Sequence, residues 1–128
     1  MEQLFNSFQY LFQLWPMFLL FIGVFLGIVV GSIPGLTTTM LITLTLPLTF
    51  FMDSVNAITL LIGMYVGGIS GSQIAATLLR MPGTPASIMT TFDGYPMSQQ
   101  GKSERALALG ITSSFIGGII SWLFLAIL

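Results

Sequence analysis

The sequence predicts an all-α protein, a polytopic membrane helical bundle with broken helices and a re-entrant hairpin. Only 5% of the 128 residues are charged and 55% are hydrophobic, whereas a soluble domain carries about 25% charged residues. Several apolar segments approach the roughly 20 residues that cross a bilayer. Glycine and proline interrupt these segments repeatedly. A lipid bilayer is therefore the expected solvent for residues 1–128, which form a single membrane domain.

The composition excludes several classes of function. The net charge is −1 and no basic patch exists, so nucleic acid is not an expected partner. The chain has no cysteine and no histidine, which excludes histidine- or cysteine-based catalysis and the commonest zinc sites. No paired carboxylates share a span. The chain is therefore predicted not to be an enzyme and to hold no metal or cofactor other than a transported ion.

The first residues leave two alternatives open. Apolar side chains from Leu4 to Trp15 fall at helical spacing, with polar side chains between them. This pattern predicts an interfacial helix over residues 1–15, with Trp15 at the level of the lipid headgroups. The same residues would also suit an extension of the first span.

Membrane segments are predicted at residues 16–33, 36–51, 55–70 and 106–128. In three of them small residues recur every four positions, which lets helix backbones approach closely in lipid. The threonines of the second segment can bond to helix carbonyls or face a polar cavity. Three small-residue faces predict a dense bundle. They are Gly23, Gly27, Gly31 and Gly35; Gly63, Gly67 and Gly71; and Gly110, Ser114 and Gly118.

A re-entrant hairpin is predicted over residues 72–92. The glycine-rich run Gly67–Ser72 is unfavourable in a helix interior, so an interruption is expected there. Two short apolar arms follow, Gln73–Arg80 and Ala86–Phe92, joined by a proline–glycine tip. Thr84 suits an N-cap and Pro85 suits the first position of the second arm. Each arm is too short to span a membrane alone.

Residues 93–105 form the only hydrophilic stretch and are predicted to be a cytoplasmic loop. Every basic residue lies in or near it, at Arg80, Lys102 and Arg105, and short cytoplasmic loops are enriched in such residues. When the spans are counted backward from this loop, the turn at Asp53 and the N-terminus are both placed outside the cell membrane. If residues 36–51 are re-entrant instead, the N-terminus lies inside.

Three breaks carry the functional hypothesis: Gly31–Thr38, Ser70–Gln73 and Pro82–Thr84. Transporters use broken helices at mid-membrane, where half-helix N-termini attract anions and freed carbonyls coordinate sodium. The alternative is that each break is a packing kink. Sodium is expected near Thr37, Ser72 and Thr84. The candidate residues for substrate and ion binding are Ser32, Pro34, Gly35, Thr37, Ser70, Ser72, Pro82, Gly83, Thr84 and Pro85.

Several motifs carry a family resemblance. They are Gly-Ser-Ile-Pro-Gly-Leu-Thr at 31–37, Leu-Pro-Leu-Thr-Phe at 46–50, Pro-Gly-Thr-Pro-Ala at 82–86, and Asp-Gly-Tyr-Pro-Met at 93–97 with Gln-Gly at 100–101. In order and spacing, over about residues 20–120, the chain resembles the N-terminal portion of the large membrane subunit of the tripartite tricarboxylate transporters, the TctA-type permease.

The resemblance implies a multi-pass secondary transporter of the bacterial inner membrane. It would import carboxylates of the tricarboxylate type with a cation gradient, Na⁺ or H⁺. The implied partners are a small membrane subunit, a periplasmic solute-binding protein and the remaining helices of the permease, because the family's large subunit has two related halves and this chain matches only the start of the first. The alternative is a small membrane structural or assembly protein with no transport activity of its own.

Overall fold

The computed structural model describes residues 13–128, and every regular element in that range is helical, which confirms the predicted fold class. Helices α1, α3 and α5 are long and apolar enough to cross a membrane. Helix α2 has 12 residues and covers only about 18 Å. The elements are α1 Leu14–Gly31, α2 Thr38–Thr49, α3 Ser54–Leu79, a 3-10 turn Pro85–Ser87, α4 Thr90–Gln99 and α5 Ser103–Ile127.

Helix α1 begins two residues before Pro16, the predicted start of the first span. Proline is tolerated there because N–H groups in a first turn have no intrahelical acceptor. Trp15 is 62% exposed in that first turn. The helix ends where the hydroxyl of Ser32 donates to the carbonyl of Ile28 across 2.6 Å. The remainder of the predicted interfacial helix, residues 1–12, lies outside the described residues.

Helices α1 and α3 run parallel with their backbones in contact. A β-carbon added at Gly23 would lie 2.5 Å from the carbonyl oxygen of Leu60, and one at Gly63 would lie 2.8 Å from that of Leu20. Close packing of this kind holds helices together where lipid removes any hydrophobic drive. The first two glycine faces therefore pack as predicted, except at Gly35. The same contact recurs one and two turns further along, at Gly27, Gly31, Gly67 and Gly71.

Two members of the predicted glycine faces do not pack within the described residues. Gly35 lies beyond the end of α1 with a φ of +92°, and a β-carbon added there would have no atom within 4 Å. Gly118 also has open space around it, since most of α5 is exposed. On the third face, Gly110 packs against the side chain of Gln73.

Helix α2 returns antiparallel to α3. Thr38 packs over Gly68 at one end, and the hydroxyl of Thr45 reaches the sulfur of Met64 at 3.3 Å. The starts of α1 and α3 therefore lie on the same side of the bundle. Threonine hydroxyls of α2 donate to carbonyls of their own helix, which is one of the two predicted alternatives; they belong to Thr43, Thr45 and Thr49.

The predicted interruption at Ser70–Gln73 is wrong, because α3 continues through it to Leu79. The first predicted arm, Gln73–Arg80, is the last part of this helix. Glycine weakens a helix interior by up to about 1 kcal/mol per residue. Here that cost is offset because the glycines are buried against α1 and α2, where a larger residue would not fit.

After α3 the chain doubles back through a segment that we call the return loop, residues 81–84. Arg80 ends the helix in the left-handed conformation, with φ 57° and ψ 27°. The return loop brings the 3-10 turn back beside Ser72, and α4 then runs toward the end of α3 again. The predicted second arm, Ala86–Phe92, is thus not one helix.

The predicted loop 93–105 is also largely helical. Helix α4 extends to Gln99 with Pro96 inside it, and a short turn with Gly101 at φ +77° leads into α5. A proline at this position is accommodated because it removes only one helical hydrogen bond near the end of a short helix. Ala106 is the buried residue of α5, and it fixes the start of that helix against the rest of the bundle.

Candidate substrate and ion site

Three hydroxyl groups meet on one face of α3, and we call Ser72, Thr84 and Ser87 the hydroxyl cluster. Ser72 is 1% exposed and Ser87 is 4% exposed. The Ser72 Oγ lies 2.8 Å from the Ser87 Oγ and 3.3 Å from the Thr84 Oγ1. It also accepts a hydrogen bond of 3.0 Å from the backbone N–H of Gly83. The cluster thus ties the return loop to the middle of the bundle.

The local sequence explains the geometry of the turn. Thr84 is the N-cap residue and Pro85 occupies the first position, as the sequence predicted. The Ser87 Oγ donates to the Thr84 carbonyl at 2.8 Å and accepts from the Thr84 N–H at 3.3 Å. Because this turn has only three residues, it lacks the aligned peptides that give a longer helix its dipole.

The end of α1 meets the return loop at the same level. A β-carbon added at Gly83 would lie 3.0 Å from the Ser72 Oγ and 3.7 Å from the carbonyl oxygen of Gly31. Ser72 precedes Arg80 by eight residues, which corresponds to about 12 Å along the helix. The predicted breaks Gly31–Thr38 and Pro82–Thr84 are therefore adjacent. They meet beside Ser72, well before the end of α3.

Thr38 is a further polar residue at this level. It is 4% exposed, and its Oγ1 has no hydrogen-bond partner among the described residues. Most buried polar atoms have a partner, so such a group calls for an explanation. Thr38 packs over Gly68, one helical turn before Ser72. It begins α2, the helix that leaves the first break.

Comparison with known proteins identifies the chain. A family model described as the tripartite tricarboxylate transporter TctA family matches residues 17–128. The chain belongs to this family. It is 39% identical over 82 residues to an Agrobacterium vitis protein described as an uncharacterized 52.8 kDa protein in the TAR-I ttuC' 3' region. That match covers 64% of this chain and 16% of the relative. No solved structure matches.

Membership of this transporter family, together with three helices long and apolar enough to cross a membrane, makes the chain a membrane protein. The resemblance inferred from the motifs is thereby confirmed. The matched part of the chain therefore covers less than one fifth of the length of the Agrobacterium relative.

The other predicted site residues of this TctA-family chain are more dispersed. Thr37 caps α2, its hydroxyl accepting from the Met40 N–H at 3.2 Å. Ser70 is exposed and donates to the carbonyl of Val66 at 3.0 Å, so it lies on a different face of α3 from Ser72. Ser32 donates within α1. Four further predicted site residues are exposed: Pro34, Gly35, Pro82 and Pro85.

Sequence reasoning missed Ser87 and Thr38. A signal for Ser87 was available, because a side chain three residues after an N-cap commonly bonds back to the cap. Thr38 had no such signal, since it is one of several threonines in the same apolar segment. Its burial depends on Gly68, which comes from a different helix.

The site has partial charges rather than formal ones. Between residues 13 and 79 the only charged residue is Asp53, at the opposite end of α3 from Arg80. The α1 C-terminus brings a partial negative charge and the α2 N-terminus a partial positive charge of about half a unit each. Neutral hydroxyl and carbonyl oxygens of this kind suit a sodium ion, and helix N-termini suit a carboxylate.

Proposed function

We propose that the chain forms part of a permease of the bacterial inner membrane that imports carboxylates of the tricarboxylate type with a cation gradient. A periplasmic solute-binding protein would deliver the substrate. A small membrane subunit and the remaining helices of the permease would complete the assembly. The observation that carries the proposal is the meeting of two irregular backbone segments at Ser72, inside a helix long and apolar enough to span a membrane.

The scarcity of positive charge supports coupling to a cation. A carboxylate moved into low dielectric loses several kcal/mol of hydration unless opposite charge replaces the water. The basic residues follow the end of α3. The N-terminus of α2 supplies about half a unit of positive charge, and a bound cation would supply a full unit. Substrate and cation would therefore stabilise each other's binding.

The two helix ends suggest where each partner binds. The C-terminus of α1 at Gly31 and the hydroxyls of Ser72 and Thr84 present oxygen atoms to a cation such as sodium. The carboxylate would lie nearer the start of α2, where Thr37 and Thr38 precede free helix N–H groups. The unpartnered Thr38 hydroxyl would then gain a hydrogen-bond partner when substrate binds.

Uptake of radiolabelled citrate tests this proposal in cells that make the complete transporter. We expect Thr84→Val to weaken the dependence of uptake on sodium at least tenfold, because valine keeps the shape but removes the oxygen. Thr37→Val should raise the citrate concentration needed for half-maximal uptake. If both variants leave citrate affinity and cation dependence unchanged, the breaks are structural kinks and the proposal is wrong.

Two control variants separate binding from folding. Thr84→Ser retains a hydroxyl and should keep sodium dependence. Thr112→Val removes an exposed hydroxyl that donates to its own helix in α5, at 2.8 Å from the Ala108 carbonyl. It should leave uptake unchanged. Membrane levels of each variant are measured by immunoblotting, so that uptake is compared per molecule of permease.

A further inference from the structure

A second groove lies at the end of α3, apart from the hydroxyl cluster, and Phe92 and Pro96 form part of its lining. It has a volume of about 450 Å³, and its polar lining consists of Arg80, three residues of α4 and the residue that follows α4: Thr91, Tyr95, Gln99 and Gln100. Ligand pockets of proteins commonly have volumes of roughly 300 to 1,000 Å³. This groove therefore has room for a small polyvalent anion.

The groove contains one formal charge, which is positive, beside the C-terminal ends of α3 and α4, whose partial charges are negative. Arg80 is the only charged residue in its lining. Asp93, the acidic residue of α4, lines a different groove together with Gln73 and Gly110. The two faces of α4 thus differ in charge, and the face toward Arg80 favours an anion.

The Arg80 side chain is held over the groove. Its guanidinium carbon lies 5.7 Å from the centre of the Tyr95 ring, within the range of a cation–π contact. Its backbone has a φ of 57°, a left-handed conformation that glycine usually provides at a helix end. A non-glycine residue is less stable than glycine in this conformation, so arginine is present here at some expense of stability.

Resting on the proposed function, we infer that this groove is an exit subsite for the carboxylate substrate, with the Arg80 guanidinium as its anchor. Guanidinium groups bind carboxylates through two parallel N–H bonds. An exposed arginine–carboxylate pair alone contributes little binding free energy. The amides of Gln99 and Gln100 add donors for a second carboxylate, so citrate should bind better than acetate.

The return loop connects the hydroxyl cluster with the groove at Arg80. Arg80 precedes Thr84 by four residues, and Ser72 lies about 12 Å from Arg80 along α3. A substrate that leaves the hydroxyl cluster after its cation dissociates would meet a full positive charge on the basic side of the bundle. The groove thus supplies, outside the membrane core, the formal charge that the hydroxyl cluster lacks.

Protection from an arginine reagent tests this inference without measuring transport. Membrane fragments from cells that make the transporter are treated with phenylglyoxal, and modification of each arginine is followed by mass spectrometry. We expect citrate to slow modification of Arg80 at least threefold, and acetate or sulfate at equal ionic strength to have little effect. Arg105, exposed in the first turn of α5, serves as the control within the same molecule and should react at an unchanged rate.

A variant of the aromatic partner sharpens the test. Tyr95→Leu removes the ring face that orients the guanidinium and should reduce the protection by citrate, whereas Tyr95→Phe should retain it. Absence of protection at Arg80, or equal protection by sulfate, would overturn the exit subsite. Because the readout is chemical modification, the subsite can fail while sodium-coupled uptake persists, and selective protection can persist if the Thr84 and Thr37 variants transport normally.

Discussion

Ser72 and Gly83 are joined across 3.0 Å, the serine hydroxyl accepting the backbone N–H of a residue eleven positions later. This bond holds the return loop against the interior of α3 instead of letting the chain continue past Arg80. In a membrane the N–H group has no water to replace this acceptor. The serine hydroxyl therefore determines the depth to which the loop enters the bundle.

Removing the Ser72 hydroxyl should destabilise the bundle. Ser72→Ala leaves the Gly83 N–H without its acceptor and removes the contact with the Ser87 hydroxyl, which costs about 1–3 kcal/mol. Ser70→Ala, two residues away, removes an exposed hydroxyl bonded within its own helix and should change stability by less than about 0.5 kcal/mol. Unfolding in detergent measures both, and equal effects would show that the cluster does not anchor the loop.

Replacing glycine by alanine should lower the stability of the protein at position 67 and raise it at position 117. In Gly67→Ala the new methyl group would overlap the carbonyl of Val24, so α1 and α3 must separate, at a cost of about 1–3 kcal/mol. Gly117 has no atom within 4 Å of its β position, and Gly117→Ala should raise stability by up to about 1 kcal/mol through helix propensity. Detergent melting curves of the two variants should shift in opposite directions.

Cysteine labelling tests the orientation. These 128 residues contain no cysteine, so a single substitution reports its own site when any cysteines in the rest of the permease are replaced. Gln100 and Asp53 are both exposed and lie toward opposite ends of α3. An impermeant maleimide added to intact cells that retain only the inner membrane should label Asp53→Cys and leave Gln100→Cys unmodified until the cells are opened. The reverse pattern would contradict a cytoplasmic location of the basic residues.

At position 80, where the backbone is left-handed, glycine should give a more stable protein than alanine. Arg80→Gly and Arg80→Ala both remove the guanidinium, but only alanine retains the unfavourable φ of 57°. Arg80→Gly should be more stable by roughly 1 kcal/mol when the two are compared by thermal unfolding in detergent. Equal stabilities would indicate that the return loop relaxes. By the exit-subsite inference, both variants should lack citrate binding at the groove.

Part of the candidate site could be predicted from sequence because its signals are local. Thr84 and Pro85 indicate a cap and a first position by residue type alone, and the structure has them there. The period of the glycines predicted close packing of helix backbones, since a four-residue repeat returns to the same helix face, and the structure forms that packing between α1 and α3. The gathering of Ser72 with Ser87 was not predictable, because it depends on the path of the return loop between them.

The sequence by itself determined that the chain is helical and belongs in a membrane, since charge content and apolar length decide the solvent whatever the helices touch. Only the tertiary structure decided that α3 is continuous through Gly67 and Gly68. Helix propensity counts these glycines as weak points, but the α1 backbone and Thr38 occupy the space that larger side chains would need. The break lies instead after Leu79, where the hydrogen bonds of Ser72 hold the returning chain.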